Sequence, residues 1–323
     1  MAVNRRTFLT TLAAGGAVLA APRLARAAGP TELRVDWATY NPLSILIRNN
    51  KWLEAEFEKD GIAVTWVQSA GSNKALEFLN AGSIDFGSTA GAAALIARSN
   101  GNPTKLVGVF SRPEWTALVT GKDGAIRAAA DLKGRTVAVT RGTDPHIFLI
   151  RSLAEAGLAE SDIRVVPLQH ADGRLALQRG DVEAWAGLDP MMAAAELDDG
   201  AVLFQRNPAF NSWGVINVRE AFAAENPEIV RRYLGVYEKA RQHALANPGD
   251  VKAGLVAAAK LPEPVIERQL TRTDFSNKGI GDAQADTIRE AGLALQKAGV
   301  LKPEVDVEAT LGALIDRSFS SAG

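Results

Sequence analysis

Four short segments of this chain join small residues to hydroxyls where a strand would hand over to a helix. They are Thr39-Tyr40-Asn41-Pro42, Ser69-Ala70-Gly71-Ser72, Gly87-Ser88-Thr89-Ala90-Gly91 and Thr140-Arg141-Gly142-Thr143-Asp144-Pro145. The first N–H groups of a helix have no intrahelical partner and carry the positive end of its dipole, so an anion can rest against them. Small side chains let it reach the backbone. One such turn is ordinary capping chemistry, since Ser and Thr cap helices on their own account. Four of them at strand ends point to an oxyanion cradle that needs no charged side chain, with Tyr40, Asn41, Ser69, Gly71, Thr89, Ala90, Thr143 and Asp144 as the expected contacts.

Other groups fall near the same ends. His146 sits on the first turn of a helix that would face the gap, where an imidazole could donate to a ligand oxygen or simply cap. Asp189-Pro190 follows a strand containing Trp185, and that acid either meets an amine or caps the helix that Pro190 opens. Trp115 and Trp213 lie at strand ends and could wall the organic part of a ligand; Trp52 and Trp66 read as core. His146, His170 and His243 show no metal-ligand spacing and no nucleophile motif, there is no P-loop, and no G-x-G-x-x-G follows the first strand. The residues therefore call for a binding site with no catalytic group, metal or cofactor.

Alternating strand and helix patterns position these turns and argue for α/β architecture with mainly parallel sheets flanked by helices. Strands are expected over 33–37, 63–67, 84–86, 105–110, 116–120, 136–140, 163–168, 182–186 and 212–218. Helices are expected from Pro42 to about Asp60, then over 72–80, 90–98, 145–156 and 174–179. Leu79 to Asp85 and Leu177 to Glu183 each run helix, glycine, apolar residue, acid, so the two halves look built from similar units, although any helix-to-strand joint favours such chemistry. Ligands of open parallel sheets sit beyond the carboxyl ends of the strands, and two sheets meeting through those ends make a cleft. From Asn226 the pattern is helical, with amphipathic spacing at Val230, Leu234, Val236, Tyr237 and Ala240.

The first 27 residues resemble a twin-arginine export leader: Arg5-Arg6 before Thr7-Phe8-Leu9, an apolar run from Leu12 to Ala21, and Ala25-Arg26-Ala27 as a processing site. That run is shorter than the roughly 20 residues a membrane helix needs. Asn4 and Thr10 depart from the twin-arginine pattern, which leaves the ordinary secretion route open. Either route places the mature protein in the periplasm as a soluble chain. Cleavage would leave 296 of 323 residues, and the formal charge would move from -1 to -5 as 36 basic residues become 32 against 37 acids. A mildly acidic surface gives no pull toward nucleic acid or anionic membranes. The absence of cysteine excludes disulfides, thiolate metal sites and a lipid-modified N-terminal cysteine.

Gly82-Ser83-Ile84-Asp85-Phe86-Gly87, Asp131-Leu132-Lys133-Gly134-Arg135-Thr136-Val137-Ala138-Val139, Arg179-Gly180-Asp181-Val182-Glu183-Ala184-Trp185 through Asp189-Pro190, and Phe222 through Glu228 resemble, in that order, the periplasmic substrate-binding proteins of the aliphatic sulfonate, nitrate and taurine ABC importers. The resemblance implies a two-lobe periplasmic binding protein type II fold. Residues 28–118 would form the first part of lobe 1, 119–215 an inserted lobe 2, and 216–323 the return to lobe 1. It further implies a monomer that captures a small organic oxyanion, an alkanesulfonate first, by hinge closure and delivers it to an ABC permease in the inner membrane. Gly142-Thr143-Asp144-Pro145-His146 replaces the serine-rich turn common in sulfonate binders, and Gly187-Leu188 replaces a second aromatic. A carboxylate, nitrate or a zwitterionic or cationic ligand is therefore the alternative. A thiamine-pyrimidine-synthase-like enzyme is the rival class, opposed by the missing cysteines and the leader.

Overall fold

The computed structural model describes residues 29–319 apart from 278, and the leader expected over residues 1–27 lies outside the described residues. The strands are β1 Glu32–Trp37, β2 Ala63–Gln68, β3 Phe86–Ala90, β4 Thr104–Pro113, β5 Thr116–Thr120, β6 Thr136–Val139, β7 Arg164–Pro167, β8 Ala184–Leu188, β9 Val202–Gln205, β10 Gly214–Arg219 and β11 Thr273–Asp274. The first seven helices are α1 Pro42–Asn49, α2 Trp52–Phe57, α3 Ser72–Asn80, α4 Gly91–Ser99, α5 Asp144–Glu155, α6 His170–Arg179 and α7 Met191–Asp198. The remainder are α8 Glu220–Glu225, α9 Pro227–Ala246, α10 Pro248–Ala259, α11 Glu263–Thr271, α12 Asp282–Lys297 and α13 Val307–Leu314.

Two sheets result, in the orders β11-β4-β10-β3-β1-β2 and β7-β6-β8-β5-β9. β1 pairs in parallel with β2 and β3, and β6 with β7 and β8. β10 and β5, which lie next to the passages between the sheets, run antiparallel to their neighbours. Each sheet is thus mixed, with its parallel part at one side. The second sheet alternates faces residue by residue: Leu118, Val137, Val139 and Ala184 belong to one core, and Ala117, Val119, Ala138 and Trp185 to the other. This is the two-residue period of a strand with both faces buried. In the first sheet Phe86 stacks on Tyr233 of α9 at 3.9 Å between ring centroids, so the helical tail packs on that lobe's core.

The two similar segments occupy equivalent places. Gly82 and Gly180 end α3 and α6 with φ of 66° and 77°, the left-handed conformation that glycine accepts cheaply. The acid that follows then grips the neighbouring parallel strand through both its backbone and its side chain. The Asp85 amide donates to the Arg34 carbonyl (2.7 Å) while the Arg34 amide donates to Asp85 Oδ2 (2.9 Å). The Glu183 amide donates to the Thr136 carbonyl (2.9 Å) while the Thr136 amide donates to Glu183 Oε2 (2.9 Å). One device thus registers the incoming strand in both sheets.

Several sequence expectations are corrected. The helix expected from Pro42 to Asp60 is two helices, broken at Lys51 with φ of 52°. The strand expected at 84–86 is Phe86–Ala90, so Gly87 to Ala90 form a strand and only Gly91 starts the helix. α6 begins at His170 rather than Arg174, and β9 and β11 were not foreseen.

Asp85 is buried and also binds the Arg34 and Arg219 guanidiniums, whereas the Glu183 carboxylate is over a third exposed. Asp85→Ala is expected to lower unfolding free energy by about 2–3 kcal/mol, and Glu183→Ala by less than about 1 kcal/mol. Urea denaturation of the two variants checks this; equal losses would show that burial does not set the strength of the device.

Candidate functional site

The carboxyl ends of β1 and β2 deliver the first wall. The Ser69 amide donates to the Trp37 carbonyl (3.0 Å), and the chain then runs through an extended Gly71 into α3. The Ser72 and Asn73 amides have no hydrogen-bond partner among the described residues, as the opening of a helix leaves them. A methyl group at Gly71 would lie 2.8 Å from Asn73 Oδ1 and 3.0 Å from His170 Nε2. Since His170 belongs to α6, Gly71 marks where the two lobes touch.

The second wall comes from β6. Gly142 takes φ of 75°, and Thr143 Oγ1 closes the turn before α5 by donating to the Thr140 carbonyl (2.6 Å). A methyl group at Gly142 would lie 3.8 Å from Asn73 Cβ, so the starts of α3 and α5 face each other. Beside them, Thr140 Oγ1 donates to the Leu168 carbonyl (2.7 Å) and lies 3.2 Å from His170 Nδ1. Its proton being committed, the hydroxyl accepts from Nδ1–H, which leaves Nε2 as a bare acceptor. Nε2 is buried without a partner, and burial pushes the imidazole down to about 3, so the ring is neutral at pH 7.

Tyr40, Ser72, Trp115, Thr143, Asp144, Pro145 and Leu188 enclose a cavity of about 10 Å³ at this junction, no more than one water could fill. Asp144 Oδ2 accepts from Trp115 Nε1 (2.6 Å) and from the Ser212 amide (2.9 Å), while Oδ1 is buried with no partner. Burial raises this carboxyl to about 6 against those hydrogen bonds and the charges of Arg112 and Arg151, so it is ionised at pH 7. Tyr40 meets Trp115 edge to face at 6.0 Å and donates its hydroxyl proton to the Ser88 carbonyl (2.9 Å).

Of the residues expected from sequence, Tyr40, Trp115, Thr143 and Asp144 line this cavity, and Ser69 and Gly71 adjoin it through α3. The others are engaged elsewhere. Asn41 caps α1 by accepting from the Ser44 amide and donates to Tyr237. Thr89 accepts from Asn217 Nδ2 (2.7 Å) inside the sheet, and the amides of Ala90, Gly91 and Ala92 donate to Ser72 Oγ, the Trp213 carbonyl and Ser212 Oγ. That third turn therefore presents no open amide cradle. His146 turns to Glu160 at 3.4 Å. Trp213 directs Nε1 to Thr287 Oγ1. Asp189 caps α7 at the Ala193 amide (2.9 Å) and faces the Arg272 guanidinium at 3.5 Å, with burial raising its carboxyl to about 7. Sequence reasoning passed over Asn73 and His170. His170 was hidden because α6 was started at Arg174, which left the imidazole in a loop.

A groove of about 510 Å³ between α5 and α12 is far larger. None of the side chains lining it carries an orphaned buried polar atom among the described residues. It lies away from the strand ends, so the small interlobe cavity is the better candidate.

Two measurements follow. Gly71→Ala forces Asn73 or His170 to give way and should hold the lobes further apart; small-angle scattering should give a larger radius of gyration than for the parent, and an unchanged value would remove Gly71 from the lobe contact. Asp36, on β1, accepts from the Ser88 amide (2.9 Å) and hydroxyl, and burial raises its carboxyl to about 7 against those bonds. A raised carboxyl favours the protonated folded state, so its contribution is present at low pH and lost as pH rises from about 4 through 7. Asp36→Asn should therefore stabilise the chain more at pH 8 than at pH 5; urea midpoints at both pH values decide.

The comparisons with known proteins bear on the fold and the family. The pattern described as NMT1/THI5 like matches residues 57–251. A protein of Escherichia coli strain K12 named as an aliphatic sulfonates-binding protein is 30% identical over 249 residues, 76% of this chain and 77% of its own. The solved alkanesulfonate-binding protein SsuA from Xanthomonas axonopodis pv. citri, bound to MOPS, is 27% identical with a TM-score of 0.80, covering 90% of this chain and 100% of that one. The periplasmic aliphatic sulphonate binding protein SsuA from Escherichia coli is 27% identical with a TM-score of 0.73, covering 87% and 97%. These relatives are named for binding and not for catalysis, and the shared fold is the two-lobed periplasmic binding protein fold. The chain belongs to the NMT1/THI5-like family.

Proposed function

We propose that this protein captures a small organic oxyanion, a sulfonate before other classes, between its two lobes and hands it to an ABC permease. The observation that carries the reading is the meeting of two helix starts, α3 and α5, across the interlobe gap, with the Ser72 and Asn73 amides free of internal partners. Such amides hold an anion with no counter-charge to desolvate. Micromolar capture corresponds to about -8 kcal/mol, within reach of several charge-assisted hydrogen bonds of about 1.5–3 kcal/mol each plus apolar contact with Tyr40 and Trp115.

Closure supplies the trapping step. A cavity of about 10 Å³ admits no organic anion, so the lobes part for entry and close over the ligand. The motion turns on the passages between β4 and β5 and between β9 and β10, so lobe 2, expected over residues 119–215, begins instead with β5 at Thr116 and ends before β10 at Gly214. The chain works in the periplasm as a monomer after loss of the twin-arginine leader. No helix among the described residues is long and apolar enough to cross a membrane, which accords with a permease as separate partner.

A thermal-shift screen of the mature chain against sulfonates, nitrate, carboxylates and amines tests this. A sulfonate at about 100 times its Kd should add roughly 2.7 kcal/mol of stability. Asn73→Asp, which sets a carboxylate of the same size at the start of α3, should abolish that shift while leaving the unliganded midpoint within a few degrees. Stabilisation by amines alone would overturn the proposal.

A further inference from the structure

Two of the helix pairs that join the lobes differ in how they use charge. In one, α7 of lobe 2 lies against α11 of lobe 1, where Ala193, Ala194 and Val265 form a small buried cluster apart from the lobe cores. Glu196 of α7 accepts from Arg268 Nη1 through Oε1 and from Arg272 Nη2 through Oε2. Arg272 turns its other nitrogen, Nη1, to Asp189 Oδ1 at 3.5 Å, and the Arg272 and Asp189 side chains are only 6% and 2% exposed. Apart from Arg206 with Glu114 at the passages, every ion pair that crosses between the lobes among the described residues belongs to this group. In the other pair, α5 faces α12 with no ion pair among the described residues, although Arg151, Glu155 and Lys297 all line the groove of about 510 Å³ there.

The same end of α11 reaches the cavity walls from behind. Gln269 Nε2 donates to the Thr39 carbonyl (2.7 Å), next to Tyr40 of lobe 1, and Asp189 follows Leu188 of lobe 2; Tyr40 and Leu188 both line the cavity. The Arg272 carbonyl accepts from the Glu114 amide (2.7 Å) at the first passage. One short segment therefore holds a passage, the lobe 1 wall and the lobe 2 wall at once.

We infer that Arg272 is a positioning residue: with Glu196 and Asp189 it clamps α7 to α11 and so fixes how far lobe 2 stands from lobe 1, without itself lining the cavity. The clamp acts whichever ligand the gap receives. A planar guanidinium offers a fork of donors that can engage two carboxylates together, which a lysine ammonium on its flexible stem does not match. Because Arg272 and Asp189 are desolvated, salt screens their attraction little, and removing one partner leaves the other's charge unpaired. Glu196 is the separable member. Its side chain is 25% exposed, and truncation to alanine suits a helix, so the change removes the clamp and little else.

The chain has no cysteine of its own, so spin labels at Glu77→Cys on α3 and Asp172→Cys on α6, both exposed positions, read the lobe separation across the Gly71 and His170 contact by double electron-electron resonance. In the unliganded chain Glu196→Ala should lengthen the mean label distance by more than about 2 Å and broaden its spread. Arg272→Lys, which keeps the charge but not the fork, should lengthen it less. Combining the two should lengthen it by less than the sum of the single effects, as residues of one network do. Glu183→Ala, which breaks ion pairs inside lobe 2 alone, should leave the distance at the parent value. An unchanged distance in Glu196→Ala, or an equal widening in Glu183→Ala, would overturn the inference. These two variants decide the matter even if Arg272→Lys fails to fold.

Discussion

Among the described residues, the chain passes between its two sheets only where Glu114 and Trp115 separate β4 from β5, and where residues 206–213 separate β9 from β10. Everything about the site depends on that constraint. The passages are bound to each other: Arg206 donates to both Glu114 oxygens at 2.8 Å, the Thr116 amide donates to Asn211 Oδ1 (2.9 Å), and Arg112 donates to the Asn211 carbonyl (2.9 Å). The two passages are thereby tied side by side. The second sheet is therefore held with the carboxyl ends of its parallel strands toward those of the first, and α3 and α5 begin on opposite sides of one gap.

Within that frame the repeated carboxylate device explains why helix starts are left open at the facing strand ends. Asp85 and Glu183 fix β3 against β1 and β8 against β6 from the strands' entry ends. The opposite ends are then free to carry turns whose amides are not consumed by sheet pairing. The Gly87–Gly91 segment shows the contrary case. Because β3 continues through Ala90 and pairs with β10, its amides and those that open α4 are taken by Ser72, Trp213 and Ser212, and the residues brace the site from behind.

Much of this was legible in the sequence because the informative signals are local. The Ser69 to Ser72 and Gly142 to Pro145 turns, the β5 span and the boundaries of α3 follow from glycine, proline and hydroxyl placement, which act within a few residues. What was missed depends on partners distant in the chain. Nothing near Thr89 indicates that Asn217 will occupy its hydroxyl, and nothing near His146 indicates that Glu160 will draw it away from the gap. His170 escaped first because α6 begins there rather than at Arg174. Its importance comes from Thr140, thirty residues earlier, whose single proton commits the ring to one tautomer.

Buried carboxylates give the remaining argument. Asp36, Asp144 and Asp189 all lie near the ends of their sheets, and burial raises all three above the ordinary carboxylate range. Two of them are explained by their neighbours: Asp36 braces Ser88, and Asp189 caps α7 while facing Arg272 across to the segment joining α11 and β11. Asp144 could hold Trp115 and the Ser212 amide as a neutral asparagine through one oxygen, so its charge is surplus to those contacts. A charge kept in a desolvated place without a cation in contact is costly unless something arrives to balance it. The charges of Arg112 and Arg151 and the hydrogen bonds from Trp115 and Ser212 offset part of that cost, while the second oxygen stays unpaired.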